Sequence, residues 1–231
     1  MSTARPTVLL FDIDGTLITS GGAGRRAMER AFEELHGNRE ACRFRFDGMT
    51  DLQIARQTLV ALGVEPTREA MDESIRFYLR FLVEEIERTD HANYRLHEGI
   101  MEALAAARTQ SCGIGLGTGN VHEGARIKLE RVGVFGEFAF GGFGSDAEDR
   151  TELLRHGAER GARHLGASLD VCRVVVIGDT PKDVAAARGI GAECIAVGTG
   201  SFTLEELRAS GATHTFASLS APGALSALLE A

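Results

Sequence analysis

Two aspartates separated by one residue, Asp12 and Asp14, directly follow an apolar run at residues 8–11. A short apolar run that ends in a turn signal predicts a buried strand of a parallel sheet. Side chains two apart on a strand share a face, and the carboxyl ends of such strands are where α/β proteins bind ligands. Carboxylates this close repel each other unless a cation lies between them, and Mg²⁺ prefers oxygen ligands of this kind. A chemically silent strand followed by an Asp-Gly turn at Gly15 is the alternative.

Two further strand ends carry polar residues. The glycine-rich run at residues 114–120 contains Thr118, whose hydroxyl and neighbouring backbone can approach an anion; a capping threonine in a turn is the alternative. The apolar run at residues 174–177 leads to Asp179, and Asp183 follows one helical turn later. A plain helix N-cap is the alternative for Asp179.

The D-x-D-G-T sequence after an apolar strand resembles the first motif of the haloacid dehalogenase-like (HAD) superfamily, most of whose members are Mg²⁺-dependent phosphohydrolases. Thr118 resembles the residue of the second motif that hydrogen-bonds the phosphoryl group. The G-D-T-P-x-D sequence that contains Asp179 resembles the fourth motif. The arrangement as a whole is similar to that of phosphoglycolate phosphatase-like members.

The resemblance implies a different chemical role for each aspartate. Asp12 would attack phosphorus and form an aspartyl-phosphate, and Asp14 would act as general acid and then general base. Mg²⁺ would be held by Asp12, by Asp14 through its carbonyl, by Asp179 and by Asp183. The presence of Asp14 favours phosphate-ester chemistry, because a dehalogenase needs no acid for its leaving group.

The chain departs from the family pattern at the cationic residue. The family usually has a lysine at the start of the helix before the fourth motif, and no lysine lies there. Arg150 lies 29 residues before Asp179 and is predicted to replace this lysine, because arginine also binds phosphate. An arginine on the surface beside acidic residues is the alternative. Lys128 lies mid-helix among charged residues and is interpreted as part of a solvated face.

The order of elements predicts an α/β fold, a Rossmann-like parallel sheet with helices on both faces plus an inserted α-helical cap. Apolar residues at helical spacing occupy residues 22 to about 90, whereas alternating strands and helices follow from about residue 97. We therefore expect a discontinuous catalytic core, residues 1–18 and 95–231, and a cap, residues 19–94. A short strand is predicted at residues 138–140, an edge strand at residues 213–216 and a capped helix at residues 203–209.

The cap of this family closes over the site and selects the leaving group, so residues from both units are candidate substrate ligands. We expect substrate contacts from Gly15, Thr16, Gly119, Asn120, Arg25, Thr50 and Asp51. A helix N-cap explains Asp51 equally well.

Composition excludes several classes of partner. A net charge of −8 argues against nucleic acid and acidic membranes, and no apolar stretch is long enough to span a bilayer. The four cysteines are far apart and include no C-x-x-C pair, which predicts buried thiols and a reducing, cytoplasmic location. The expected partner is a small phosphorylated metabolite, and the chain is expected to be a monomer or a homodimer.

Two other functions remain open at this point. A β-phosphoglucomutase-type phosphomutase would share every core motif and transfer the phosphoryl group to a sugar hydroxyl instead of water. A catalytically inactive binding module would explain the missing lysine, although the intact Asp12, Asp14, Thr118, Asp179 and Asp183 argue against it.

Overall fold

The computed structural model describes residues 5–230, and eight strands lie within that range. They are β1 (Thr7–Phe11), β2 (Ile18–Thr19), β3 (Arg95–Leu96), β4 (Gly113–Thr118), β5 (Phe140–Phe143), β6 (Arg173–Gly178), β7 (Glu193–Val197) and β8 (His214–Phe216). Six of them form a parallel sheet in the order β5-β4-β1-β6-β7-β8. The predicted strand at the edge of the sheet is confirmed as β8.

Helices cover both faces of this sheet, as predicted. They are α4 (Ile100–Thr109), α5 (His122–Glu130), α6 (Arg150–His164), α7 (Pro181–Gly189), α8 (Leu204–Ala209) and α9 (Ala224–Leu229). The central strand β1 is fully buried, and its side chains alternate between two apolar clusters. Leu9 and Phe11 belong to one cluster, whereas Val8 and Leu10 belong to the other. The continuous apolar run therefore reflects burial on both faces.

Three helices lie between β2 and β3: α1 (Ala23–His36), α2 (Asp51–Ala61) and α3 (Arg68–Arg88). Arg26 and Arg30 of α1 form ion pairs with Glu85 of α3 at 2.7 and 2.8 Å. Strands β2 and β3 pair antiparallel with each other where the chain leaves the sheet region and returns to it. We call residues 19–94 the helical insert. The division at residues 18 and 95 stays a prediction, and residues 1–4 and 231 lie outside the described part.

The predicted strand at residues 138–140 is wrong by about two residues, because Phe135–Glu137 forms a single 3₁₀ turn and the strand runs through two glycines as Phe140–Phe143. These glycines bring β5 close to α6. A Cβ atom on Gly142 would overlap the carbonyl oxygen of Leu153 in α6. The backbones of β5 and α6 therefore pack directly against each other without intervening side chains. A pair of glycines in the sequence is compatible with such a strand and with a loop, so the sequence does not distinguish them.

The cysteines largely agree with the predicted buried thiols. The four cysteines carry free thiols; Cys42, Cys172 and Cys194 are buried, and Cys112 is partly buried. No helix within residues 5–230 has both the length and the apolar character that a membrane crossing needs.

The contact between β5 and α6 can be tested with a matched pair of substitutions. Gly142→Ala is expected to lower the free energy of unfolding by about 3 kcal/mol, because neither backbone can give way easily. A Cβ atom on Gly136 would meet no atom within 4 Å, so Gly136→Ala serves as the control and should change stability by less than about 0.5 kcal/mol. Urea denaturation of both variants measures the difference. Equal stabilities of Gly142→Ala and Gly136→Ala would contradict the close packing of β5 against α6.

Candidate active site

Three buried aspartates meet at the carboxyl end of the sheet. Asp12 follows β1, Asp179 follows β6, and Asp183 lies in the first turn of α7. One carboxylate oxygen from each lies within 4.8 Å of the others. Neighbouring parallel strands β1 and β6 end at the same edge, so the topology itself brings these side chains together.

The start of α7 fixes the orientation of Asp183. Thr180 is the N-cap residue, and Pro181 follows at the first helical position. The backbone N–H of Thr180 donates to Oδ2 of Asp183 at 3.0 Å, and the Asp183 N–H donates to Oγ1 of Thr180 at 3.3 Å. This capping box uses Oδ2 of Asp183 and leaves Oδ1 to contact the guanidinium of Arg150.

Gly15 leaves space for the carboxylate of Asp179. Gly15 has a φ of 82°, and a Cβ atom there would overlap a carboxylate oxygen of Asp179. Thr16, next to this turn, donates its hydroxyl to Oδ1 of Asp179 at 3.0 Å. Gly15 and Thr16 therefore shape the position of Asp179, whereas a direct contact of either with substrate stays a prediction.

Arg150, the first residue of α6, places its guanidinium among these carboxylates. Its Nη2 lies 3.0 Å from Oδ1 of Asp12 and 2.6 Å from Oδ1 of Asp183, and its Nε donates to Asp183 at 2.8 Å. The side chain is buried, yet Nη2 has no well-directed hydrogen bond within the described residues. Arg150 is thus at the position predicted for the missing lysine, with an N–H available to an anionic oxygen.

The carboxylates carry more negative charge than Arg150 offsets. Burial raises the pKa of Asp12 to about 6; Arg150 opposes the shift, whereas Asp183 and Asp14 add to it. Burial and the charges of Asp183 and Asp12 also raise the pKa of Asp179. A buried, all-oxygen cluster of this kind fits a hard divalent cation.

Asp14 belongs to a second network, on the side of the helical insert. Its Oδ1 accepts a hydrogen bond from Ser20 at 3.0 Å, and its Oδ2 accepts from Asn120 at 3.0 Å and from Nζ of Lys128 at 2.6 Å. Burial opposes ionisation of Asp14, but the Lys128 ammonium and these hydrogen bonds lower its pKa overall.

The interpretation of Lys128 as part of a solvated face is wrong. Its side chain is only 4% exposed, and its Nζ also donates to Oδ1 of Asn120 at 2.6 Å. Lys128 lies three residues after Ala125 and next to Leu129, both of which are buried, so it occupies the inward face of α5. That spacing was the available signal, and the charged neighbours concealed it.

The turn after β4 holds Asn120 in place. The Thr118 hydroxyl oxygen accepts hydrogen bonds from the backbone N–H of Asn120 at 3.2 Å and from its Nδ2 at 2.9 Å. Thr118 itself is completely buried. It therefore supports Asn120, and its predicted contact with a phosphoryl group stays a prediction.

The N-terminus of α2 is hydrogen-bonded to this same turn. The backbone N–H of Asp51 donates to the Gly119 carbonyl at 2.8 Å, and Oδ2 of Asp51 accepts from the Val121 N–H at 2.8 Å. Thr50, not Asp51, is the N-cap of α2, and its hydroxyl donates to the Glu148 carbonyl at 3.2 Å. The interpretation of Asp51 as an N-cap is therefore wrong, because its carboxylate bonds across to the sheet domain.

A cavity of about 370 Å³ lies between the strand ends and the helical insert. The predicted site residues that line it are Asp12, Asp14, Gly15, Arg25, Asp51, Gly119, Asn120, Arg150 and Asp179. Arg25 donates to the carbonyls of Cys42 and Phe44 at 3.2 and 2.9 Å. The cavity therefore joins the acidic cluster to residues of the insert.

The model of one hydrolase family matches residues 6–191 of the chain, and its description is "haloacid dehalogenase-like hydrolase". The chain belongs to the haloacid dehalogenase-like hydrolase family. This confirms the resemblance drawn from the motifs, and the protein is an enzyme of a hydrolase family.

Three relatives illustrate the likeness. The inferred phosphatase IndB of Dickeya dadantii is 26% identical over 206 residues, which are 88% of this chain and 86% of that protein. The structure of CbbY from Rhodobacter sphaeroides in complex with phosphate superposes with a TM-score of 0.70 at 20% identity, over 96% of this chain and 99% of that one. A proposed β-phosphoglucomutase from Bacteroides vulgatus gives a TM-score of 0.67 at 19% identity, over 100% and 93%. The two solved structures share the fold.

Asp51 of this HAD-family enzyme makes a testable contribution to stability. Burial raises its pKa from 3.8 to about 6, against the opposing effects of Lys128 and the Val121 N–H. Between pH 3.8 and about pH 6, Asp51 is ionised in the unfolded chain but protonated in the folded chain, so the free energy of unfolding falls as the pH rises. Above pH 6 the ionised carboxylate costs up to about 3 kcal/mol.

Asp51→Asn is therefore expected to be more stable than the wild type at about pH 8 and equally stable at about pH 4. Chemical denaturation at both pH values, in the presence of a chelator, makes the comparison. A variant that is less stable than the wild type at about pH 8 would show that the hydrogen bonds of the ionised carboxylate outweigh its burial.

Proposed function

We propose that this enzyme hydrolyses a small-molecule phosphomonoester with the help of Mg²⁺ and through an aspartyl-phosphate at Asp12. The observation that carries the proposal is the position of Asp12. Its carboxylate is buried at a strand end, 3.0 Å from the guanidinium of Arg150, and lines the cavity. A nucleophile and an anion-binding cation are thus adjacent in the lining of a cavity that suits a small molecule.

The acidic cluster supports the metal part of the proposal. Asp12, Asp179 and Asp183 would hold Mg²⁺, with the Asp14 carbonyl as a further ligand. The ion would neutralise the phosphoryl oxygens and so allow an anionic nucleophile to approach an anionic substrate.

The chain's own residues account for the two steps. A carboxylate oxygen of Asp12 forms a bond to phosphorus while the bond to the leaving alcohol breaks. Lys128 and Asn120 favour the ionised form of Asp14 in the site without substrate, so Asp14 first takes up a proton from the phosphomonoester monoanion and then donates it to the alcohol oxygen. In the second step Asp14 takes a proton from the attacking water, the bond between phosphorus and Asp12 breaks, and phosphate leaves. Arg150 stabilises the charge on the phosphoryl oxygens in both steps.

The relatives support hydrolysis and keep one alternative open. IndB is an inferred phosphatase, and CbbY was captured with phosphate. The likeness to a proposed β-phosphoglucomutase favours phosphoryl transfer to a sugar hydroxyl as the second candidate. A requirement for a sugar bisphosphate as activator would identify a mutase. The cytoplasmic location stays a prediction.

Phosphate release tests the nucleophile. With Mg²⁺ and a panel of small phosphomonoesters, the wild type should release phosphate, and Asp12→Asn should be slower by at least about 10⁴-fold, because the attacking oxygen is lost. Asp90→Asn is the control, since Asp90 is exposed and makes no capping hydrogen bond. Comparable rates for Asp12→Asn and Asp90→Asn would refute the role of Asp12.

Thermal unfolding tests the cation independently of catalysis. Millimolar Mg²⁺ should raise the melting temperature of the wild type, because an ion that binds only the folded state stabilises it. Asp179→Asn should lose this increase, whereas Asp90→Asn should keep it. A similar increase in Asp179→Asn and the wild type would place the ion elsewhere.

A further inference from the structure

The cavity lining contributed by α2, α3 and α5 contains polar groups that the proposed reaction does not use. Tyr78 of α3 is 1% exposed and lines the cavity. Its hydroxyl makes no side-chain hydrogen bond within residues 5–230, whereas the Tyr94 hydroxyl donates to the Lys128 carbonyl at 2.9 Å. Because the ring is buried and the residue lines the cavity, its hydroxyl is in a position to hydrogen-bond a ligand there.

Two neighbours of Tyr78 also keep unused hydrogen-bonding capacity. Asp51 bonds through Oδ2 only, so its other oxygen remains an acceptor in the described part of the chain. Lys128 donates to Asp14 and Asn120, which leaves the third N–H of its ammonium. A Cβ atom built on Gly24 would lie 3.2 Å from Nζ of Lys128 and 3.8 Å from the Tyr78 hydroxyl, which places both beside the same residue.

The charge of this part of the lining disfavours an anionic ligand. The Lys128 ammonium is balanced by Asp14, and the Asp51 carboxylate adds a further negative charge close to it. Arg25 is engaged with two carbonyls and stacks over the Phe46 ring at 3.9 Å. A carboxylate on the leaving group would therefore meet repulsion from Asp51 and compete for a cation that is already paired.

We infer that the leaving group of the substrate is a neutral, hydroxyl-bearing alcohol such as a polyol or a sugar, and that Tyr78, Asp51 and Lys128 bind its hydroxyls. A hydroxyl donates to the free oxygen of Asp51 and accepts from Lys128 or Tyr78, so it satisfies all three groups without adding charge. The apolar side chains of Met28 and Ile54, which line the same cavity, pack against its carbons. This inference rests on the proposed function.

Three esters with the same three-carbon skeleton separate the possibilities: α-glycerophosphate, propyl phosphate and a phosphoglycerate whose carboxylate replaces the distal hydroxymethyl group. Their binding to Asp12→Asn in the presence of Mg²⁺, measured by calorimetry, does not depend on turnover. α-Glycerophosphate should bind at least about tenfold more tightly than propyl phosphate, because an ester without hydroxyls leaves buried polar groups unpaired. It should also bind at least about tenfold more tightly than the phosphoglycerate.

Further substitutions in the Asp12→Asn variant test which residues cause the preference for α-glycerophosphate. Tyr78→Phe should reduce the ratio between α-glycerophosphate and propyl phosphate by about tenfold. Tyr94→Phe is the matched control, because the Tyr94 hydroxyl donates to the Lys128 carbonyl and Tyr94 does not line the cavity; it should keep the ratio within about twofold. Asp51→Asn should improve binding of the phosphoglycerate relative to α-glycerophosphate by about tenfold.

Several results would overturn the inference. These are equal or weaker binding of α-glycerophosphate, preference for the phosphoglycerate, or the same ratio in Tyr78→Phe and Tyr94→Phe. If the binding preference is found but the wild type releases no phosphate from any polyol or sugar phosphate of the panel, the ligand class stands and the proposed hydrolysis fails.

Discussion

Asp12, Asp179 and Asp183 are buried together against the guanidinium of Arg150, and the geometry of the site depends on how this charge is balanced. Two parallel strands and one helix N-terminus deliver the carboxylates to the same point. Burial makes their ionisation costly, as the raised pKa of Asp12 and of Asp179 indicates. The fold therefore holds a charge imbalance that a bound cation relieves, and it is the packing of the sheet that sustains this imbalance.

The second carboxylate of the D-x-D sequence has the opposite environment. Asp14 faces Lys128 of α5, Asn120 after β4 and Ser20 of the helical insert, and these three residues stabilise its ionised form. Two carboxylates two residues apart thus differ in pKa because one faces the acidic cluster and the other faces an ammonium. Asp51, at the N-terminus of α2, is hydrogen-bonded to the turn after β4 that contains Asn120. The helical insert therefore contributes directly to the surroundings of Asp14.

The sequence predicts the residues at strand ends well, because a buried strand and its order in the sheet determine where the next residue lies. The positions of Asp12 and Asp179 are of this kind. Arg150 lies beside Asp12 and Asp183 at the start of α6, and its replacement of the family's lysine stays a prediction. Lys128 and Tyr78 are different, since they enter the cavity through the packing of α5 and α3, which helical periodicity describes only as an apolar face. The position of β5 was also missed, because its glycines serve backbone contact with α6.

Trapping the covalent intermediate tests the assignment of Asp12 as the nucleophile most directly. The wild type is mixed with substrate and Mg²⁺, quenched in acid during turnover, reduced with borohydride and digested for peptide mass spectrometry. An acyl phosphate is reduced to the alcohol, so we predict homoserine at position 12 that appears and disappears with the time course of turnover. Turnover without any reduced residue at position 12 in quenched single-turnover samples, or reduction at another carboxylate, would contradict the assignment of Asp12 as the nucleophile.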